Sequence, residues 1–502
     1  MNQTASTKHS KGLYVLFATE MWERFNYYGM RAILVLFMTK ALLFDKAFAS
    51  NLYGSYTSLV YLTPLLGGFI ADRYWGNRMS IIAGGLIMAT GEFILFFCGH
   101  LYDSSPEMAS FLFFAGLGFM IAGNGFFKPN ISSLVGQLYP KGDRRIDAAY
   151  TIFYMGINVG GGIGPFICGL VGDTGNPADF KWAFLVAGIG MLISVAIQKL
   201  FHHKYVLDPE GKVLGLIPKG QPKIYTNAVV ATVSLIALSF LMIGLLYVDA
   251  KIVNYLTYLL IATVLFIAFV IFSDKTLNKL EKQRIGVIFI TAFFVIFFWS
   301  AFEQAGASLT FFAEEQTQRD IGIFVIPASF FQSLNSIFVI TFAPVFAWLW
   351  LKLGKKDPAS PTKMAMGLAL LALGYLWIAF GVKDVQPGIK VSVIWLTGMY
   401  LLHTWGELCL SPIGLSLVNK LAPLKFASLL MAVWFLANAA ANKLAGVLSS
   451  LYPEAGRSTS FLGYSMYNMH DFFMLFVFMA GTASILLFIL TKRLQQMMQM
   501  DK

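Results

Sequence analysis

Charge is scarce in this 502-residue chain: Asp, Glu, Lys and Arg make up 13% of it, against 57% for hydrophobic types. A soluble globular domain carries about 25% charged residues, so the chain lacks the polar coat that a water-facing surface needs. Cysteine is scarcer still. Cys98, Cys168 and Cys409 each sit inside an apolar run, which argues against a disulfide framework or a metal-ligand spacing and leaves three small buried hydrophobes. The sequence also has no HExxH, no GxSxG and no Cys/His cluster. A membrane-embedded enzyme would need such a metal site or nucleophile–base pair, so an enzyme is not expected, nor is a cofactor.

What is present is a succession of apolar runs of about 20 residues, the length that crosses a bilayer. They give fourteen helix candidates, over 13–40, 50–72, 79–100, 107–138, 146–172, 180–201, 224–248, 253–273, 285–312, 322–351, 364–382, 390–419, 427–450 and 470–490. The first is too long and too charged for a cleaved signal segment and reads as a retained helix. The net charge of +11 would suggest nucleic acid on a soluble protein. Here the cations lie in short loops, and topology explains them without a nucleic-acid partner. With an even helix count and the N-terminus in the cytoplasm, Arg73, Arg78, Lys141, Arg144, Arg145, Lys204, Lys279, Lys355 and Lys420 fall on the cytoplasmic side with most other loop cations. The positive-inside rule then places both termini inside.

The longest polar segment, Lys204–Lys223, closes a block of six helices; two follow, then six more. Two six-helix halves with a substrate held between them are what a major facilitator fold requires. The expected domains are 1–203, an N-terminal bundle, 204–283, a linker with two inserted helices, and 284–502, a C-terminal bundle. Asp72–Arg73–Tyr74–Trp75–Gly76–Asn77–Arg78 and Leu351–Lys352–Leu353–Gly354–Lys355–Lys356 are Gly-containing basic turns at matching places in the two halves.

An ionisable residue at membrane depth costs several kcal/mol unless it faces a partner or a cavity. Glu20, Glu23, Arg24, Arg31, Glu92, Lys128, Glu303, Glu407 and Lys443 are the ones to explain. In the first helix Glu20, Glu23, Arg24, Tyr27, Tyr28 and Arg31 follow steps of 3, 1, 3, 1 and 3, which puts all six on one stripe about 16 Å long. Either the stripe locks helices together as an ion-pair network or it faces a wet site; the interleaved tyrosines favour the second. Smaller polar faces pair Asn124 with Lys128, Tyr154 with Asn158, Trp299 with Glu303, Gln332 with Asn335, and Trp434 with Asn438, and place His403, Glu407 and Ser411 in steps of four. Inward cations (Arg24, Arg31, Lys128) belong to the first half and inward anions (Glu303, Glu407) to the second. That sorting suits a zwitterion with separated amine and carboxylate. Glu92, Lys443 and His403 read as interhelical contacts.

Glu20-Met21-Trp22-Glu23-Arg24-Phe25-Asn26-Tyr27-Tyr28-Gly29 resembles the ExxERFxYYG signature of the proton-coupled oligopeptide transporters. Phe153–Gly160 resembles their FYxxINxG signature, and Phe127-Lys128-Pro129-Asn130 and Gly406–Pro412 match as well. The resemblance covers essentially the whole chain, and the inserted pair resembles the prokaryotic members. It implies that Glu20, Glu23 and Arg24 couple protons with Lys128 as salt-bridge partner. Arg31 and Lys128 would take the peptide carboxylate, Glu407 and Asn335 the amino terminus, and Asn158 and Tyr28 the backbone. Tyr27, Tyr61, Trp299, Ser411 and Trp434 would shape side-chain pockets. Glu303 would pair with Arg31 in a gate and carry a proton. Animal members have a histidine in the second helix; Gly54 stands there instead, which throws weight onto Glu20, Glu23 and Glu303.

The expected function is proton-driven symport of di- and tripeptides by alternating access, in a monomeric unit of the bacterial inner membrane. Gly125, Pro129, Pro165, Pro327, Pro344 and Pro412 could supply helix bends. The alternatives are a transporter of another zwitterion, such as a free amino acid or a peptide-like drug, and a non-transporting receptor. A receptor would not need a titratable stripe.

Overall fold

The computed structural model describes residues 9–140, 143, 145–218, 220, 228–251, 255–385, 388–454 and 457–498. The loop cations Lys141, Arg144, Lys219 and Lys223 lie outside them, as does part of the 204–223 segment.

The chain is helical almost throughout. In order come α1 (Lys11–Lys40), α2 (Lys46–Ile70), α3 (Gly76–Leu101), α4 (Pro106–Gln137), α5 (Arg145–Gly172), α6 (Phe180–Tyr205), α7 (Ala228–Lys251), α8 (Tyr255–Phe272), α9 (Lys279–Phe302), α10 (Ser308–Glu315), α11 (Phe331–Leu353), α12 (Ser360–Val382), α13 (Val393–Leu421), α14 (Ala427–Ser449) and α15 (Met469–Met498). Local chemistry sets several ends. Ser10 caps α1 by accepting from the Gly12 N–H, and Asn278 with Glu281 forms a capping box on α9. Gly354, with φ of 49°, ends α11. Two small pairs of strands decorate the loops: β1 (Thr317–Gln318) runs parallel to β2 (Val391–Ser392), and β3 (Thr459–Phe461) antiparallel to β4 (Tyr464–Met466).

Among the described residues, twelve stretches are long and apolar enough to cross a membrane. One of them, Lys46–Leu101, has 56 residues. As continuous helix it would measure about 80 Å, against a hydrocarbon core of ~30 Å. It holds both α2 and α3, joined by a π-helical turn at Ala71–Trp75 and a reversal at Gly76, whose φ is 72°. Charge-rich α1 is not among the twelve.

Two compact units form, Met1–Leu42 with Leu62–Tyr247, and Leu43–Tyr61 with Val248–Lys502. In the first, α1 packs on α5 and α6, and α3 on α4 and α6. In the second, α12 packs on α13 and α15, and α9 on α14 and α15.

Two helices differ from the sequence reading. The run over 285–312 is broken: α9 stops at Phe302, a 3-10 turn covers Glu303–Gly306, and Ala307 leaves helical geometry before α10. Gly306 sits so close beneath the Tyr53 ring that a side chain there would overlap it. The run over 322–351 begins late, at Phe331. Pro327 disfavours helix in the residue before it, so Ile321–Ile326 form an exposed apolar loop, with Ile323 94% exposed. Pro327 therefore precedes a helix instead of bending one, whereas Pro129, Pro165 and Pro344 do lie inside helices.

Three charges at depth have structural partners. Asn26 donates to Glu92 Oε1 at 2.9 Å across α1 and α3. Lys443 of α14 pairs with Asp249 of α7 at 2.6 Å and donates to Ser55 Oγ of α2 at 2.9 Å. Ser55 also donates to Asp249, whose other oxygen accepts from the Leu256 N–H at the start of α8. Both charged side chains are within 4% of complete burial. Removing one member of such a pair strands the other, so Asp249→Ala should lower stability by about 3–5 kcal/mol. Thermal unfolding in detergent measures this; the double variant Asp249→Leu/Lys443→Met should recover most of the loss.

Candidate functional site

The expected site residues are divided between the two units.

In the first unit, the α1 stripe folds onto itself. Arg24 is the hub. Its Nη2 donates to Glu23 Oε1 at 2.5 Å, its Nε donates to Glu23 Oε2, and the same Nε lies 3.3 Å from Glu20 Oε1. All three side chains are essentially inaccessible to solvent. Such a forked, charge-assisted contact is the geometry a guanidinium prefers with a carboxylate. Asn124 of α4 adds a hydrogen bond to Glu23 Oε1 at 3.2 Å, and Lys128, one turn further along α4, acts on the Glu20 carboxylate. The Arg24 guanidinium lies 5.2 Å from the Tyr27 ring and 5.7 Å from the Tyr28 ring, and Arg31 lies 5.3 Å from the Tyr28 ring. The aromatic faces thus supply part of the lost hydration of both cations. Arg24 thus serves both carboxylates at once.

Small residues make this crowding possible. Gly156, Gly160 and Gly164 fall at steps of four on α5 and meet the α1 backbone at Phe17, Met21 and Phe25. A Cβ at Gly160 would sit 2.9 Å from the Arg24 Cβ. Asn158, on the same helix, is buried and donates to its own Tyr154 carbonyl at 3.0 Å.

In the second unit, Asn335 of α11 donates to Glu407 Oε2 of α13 at 2.8 Å and lies 3.2 Å from Thr404 Oγ1. Glu303 is buried at the break between α9 and α10, within electrostatic reach of Glu407. Ser411 is half-buried one turn beyond Glu407. Trp434 of α14 is buried with its ring against Gly414 of α13, and Trp299 of α9 packs edge-on to Phe298 and Phe302. Tyr61 is half-buried on α2. The His403 ring lies tilted against Tyr375, centroids 4.7 Å apart, and fills the space over Gly374, which makes it a packing residue. Gly54 crosses α14 at Gly446, where a Cβ would lie 2.6 Å from the Gly446 Cα; a histidine has no room there.

A family model described as PTR2: POT family matches residues 78–469. The chain belongs to the POT family. This is a family of transporters, so this POT-family chain is a membrane transporter and not an enzyme. It is 35% identical to the peptide transporter YePEPT of Yersinia enterocolitica subsp. palearctica serotype O:3 (strain YE-P4), over 88% of this chain and 87% of that protein. It is 32% identical to a di-/tripeptide transporter of Lactococcus lactis subsp. lactis (strain IL1403), over 91% of this chain and 92% of the relative. The crystal structure of a POT family transporter in complex with 5-aminolevulinic acid superposes with a TM-score of 0.82 at 30% identity, covering 98% of each chain.

Asp249 is the buried charge that sequence reasoning missed. Its signal was available, since it is the lone acid in otherwise apolar α7, but it stands beside Lys251 and reads as a loop residue. The role of the α5 glycines is directly testable. Gly160→Ala should destabilise by about 1–3 kcal/mol through overpacking. Gly68→Ala, whose added Cβ would lie 3.6 Å from its nearest neighbour, should be neutral or gain up to about 1 kcal/mol. Parallel thermal unfolding of the two variants checks the contrast.

Proposed function

We propose that this chain carries di- and tripeptides into the cell together with protons, by alternating access. The observation that carries the reading is the buried Glu20–Glu23–Arg24 cluster, with Arg31 on the same helix and Lys128 on α4. A carboxylate in a dry surround stays ionised only while a cation stands against it. If Arg24 turns away from Glu23 or Glu20, that carboxylate takes up a proton, and the net charge of the site changes with it. The membrane potential can then act on the step, at about 2.3 kcal/mol per charge per 100 mV.

Substrate recognition follows from the same inventory. Arg31 and Lys128 hold the peptide carboxylate. Glu407, oriented by Asn335, holds the amino terminus, and Glu303 nearby shares the acidic surround and carries a proton. Tyr28 and Asn158 contact the backbone, and Tyr27, Tyr61, Trp299, Ser411 and Trp434 shape the side-chain pockets. The unit acts as a monomer in the bacterial inner membrane with both termini cytoplasmic. Adding α1, and dividing Lys46–Leu101 between α2 and α3, gives fourteen spans, with α7 and α8 as the inserted pair.

A second reading, transport of another zwitterion, is favoured by one observation: the solved neighbour binds 5-aminolevulinic acid, whose amine and carboxylate are separated much as in a dipeptide.

Uptake of labelled dialanine into proteoliposomes tests the proposal. The parent should accumulate it only under an inward proton gradient. Glu23→Gln should lose that accumulation and keep peptide exchange. Uptake in the parent that ignores the gradient would contradict coupling. Free amino acids carried in place of dialanine would move the protein to the second reading. Glu407→Gln should raise the KM for dialanine by about tenfold, from loss of a charged contact worth ~1.5 kcal/mol, and should narrow the preference for dialanine over its N-acetylated form.

A further inference from the structure

The first unit carries a cavity of about 800 Å³ between α3, α7 and the chain that follows α6. None of the peptide or proton residues lines it. Its walls are apolar: Ile87 of α3, Phe119 of α4, and Leu235 and Ile236 of α7. Leu86, Leu216, Ile217 and Ile236 are each more than a third exposed, so it is a groove open along the protein surface. Its floor is rigid, because Trp75 stacks on Phe126 with ring centroids 5.0 Å apart.

One end of the groove is different. Gly76 turns the chain with a φ of 72°, in a space where a Cβ would lie 2.5 Å from the Leu216 carbonyl. The Arg78 N–H donates to the Gly215 carbonyl at 2.9 Å, and Asn77 donates to Asn130 Oδ1 at 3.2 Å and to Ser133 Oγ at 2.8 Å. The backbone on either side of Arg78 is therefore fixed, and its side chain lines the groove. The Arg78 Nε is shielded from solvent with no hydrogen-bond partner, and among the described residues no carboxylate pairs with this guanidinium. Further along, the Thr90 hydroxyl is occupied by the Leu86 carbonyl at 2.9 Å.

An apolar groove with one unpaired guanidinium at its end fits an amphiphile with an anionic head. A peptide would leave its backbone N–H groups unsatisfied along such walls, and a sterol has no anion for Arg78. A volume near 800 Å³ is in the range of ligand pockets, ~300–1,000 Å³, and basic sites between membrane helices suit lipid headgroups. A zwitterionic headgroup brings its own cation to compete with Arg78; an anionic one does not. We propose that this groove binds one anionic phospholipid, its phosphate on Arg78 and an acyl chain lying between α3 and α7.

Native mass spectrometry of the purified protein in detergent, titrated with dioleoylphosphatidylglycerol or dioleoylphosphatidylcholine, tests the site. The parent should hold the phosphatidylglycerol about fivefold more tightly, as one arginine near a lipid surface is worth ~1 kcal/mol. Arg78→Gln should erase that preference while phosphatidylcholine binding stays the same, and Ala83→Phe, which fills the groove, should weaken both. Arg78→Lys should keep the preference, and it serves as the test if Arg78→Gln does not fold. Equal affinity of the parent for the two lipids, or a preference that survives Arg78→Gln, would overturn the proposal. So would inorganic phosphate displacing the phosphatidylglycerol at equal concentration, which would mark a free-anion site.

Discussion

Everything in the first unit is arranged around a guanidinium that has left water. Arg24 sits on a helix with almost no solvent contact, and charge there is tolerable only when it is paired and hydrogen-bonded. Glu23 supplies the fork, Glu20 a second carboxylate, Asn124 a brace on Glu23, and Tyr27 and Tyr28 their ring faces. Alongside the cluster α5 comes within backbone distance of α1, which glycine at every fourth position of α5 permits. The same requirement makes the cluster usable as a switch. Its members are stable only together, so displacing one by a proton or a substrate anion changes what the others must do.

The second unit has the complementary character. Its two buried acids differ in their surroundings: Glu303 lies at a helix break, and Glu407 accepts from the Asn335 amide. In the proposed mechanism Glu407 receives an ammonium group that arrives and leaves. The structural ion pair of the same unit, Asp249 with Lys443, is built oppositely. It is closed on all sides by Ser55 and the Leu256 N–H, which suits permanent attachment of α7 and α8 to α2 and α14.

The α1 stripe was legible because charge in a membrane helix is rare and periodicity does the rest: six polar positions with steps of three and one must share a face. Some helix starts were also legible from apolar runs alone: α1 and α4 begin within two residues of the expected 13 and 107. What stayed hidden depends on contacts far apart in sequence. The break at Glu303–Ala307 lies inside a run that reads as one helix, and Gly306 within it packs against Tyr53, some 250 residues away. The late start of α11 was concealed by an apolar loop that imitates a helix entry. Asp249 was hidden because its partners, Ser55 and Lys443, come from two other helices. Hydropathy reports transfer into a membrane and says nothing about which buried groups find one another.

The central claim is that the α1 cluster exchanges a proton when substrate arrives. Calorimetric titration of the purified protein with dialanine, repeated in buffers of different ionisation enthalpy, measures protons taken up on binding. The account predicts uptake in the parent and its loss in the Glu20→Gln/Glu23→Gln variant, with the dipeptide still bound. The same proton uptake in that variant would contradict the account and place the exchange elsewhere in the protein.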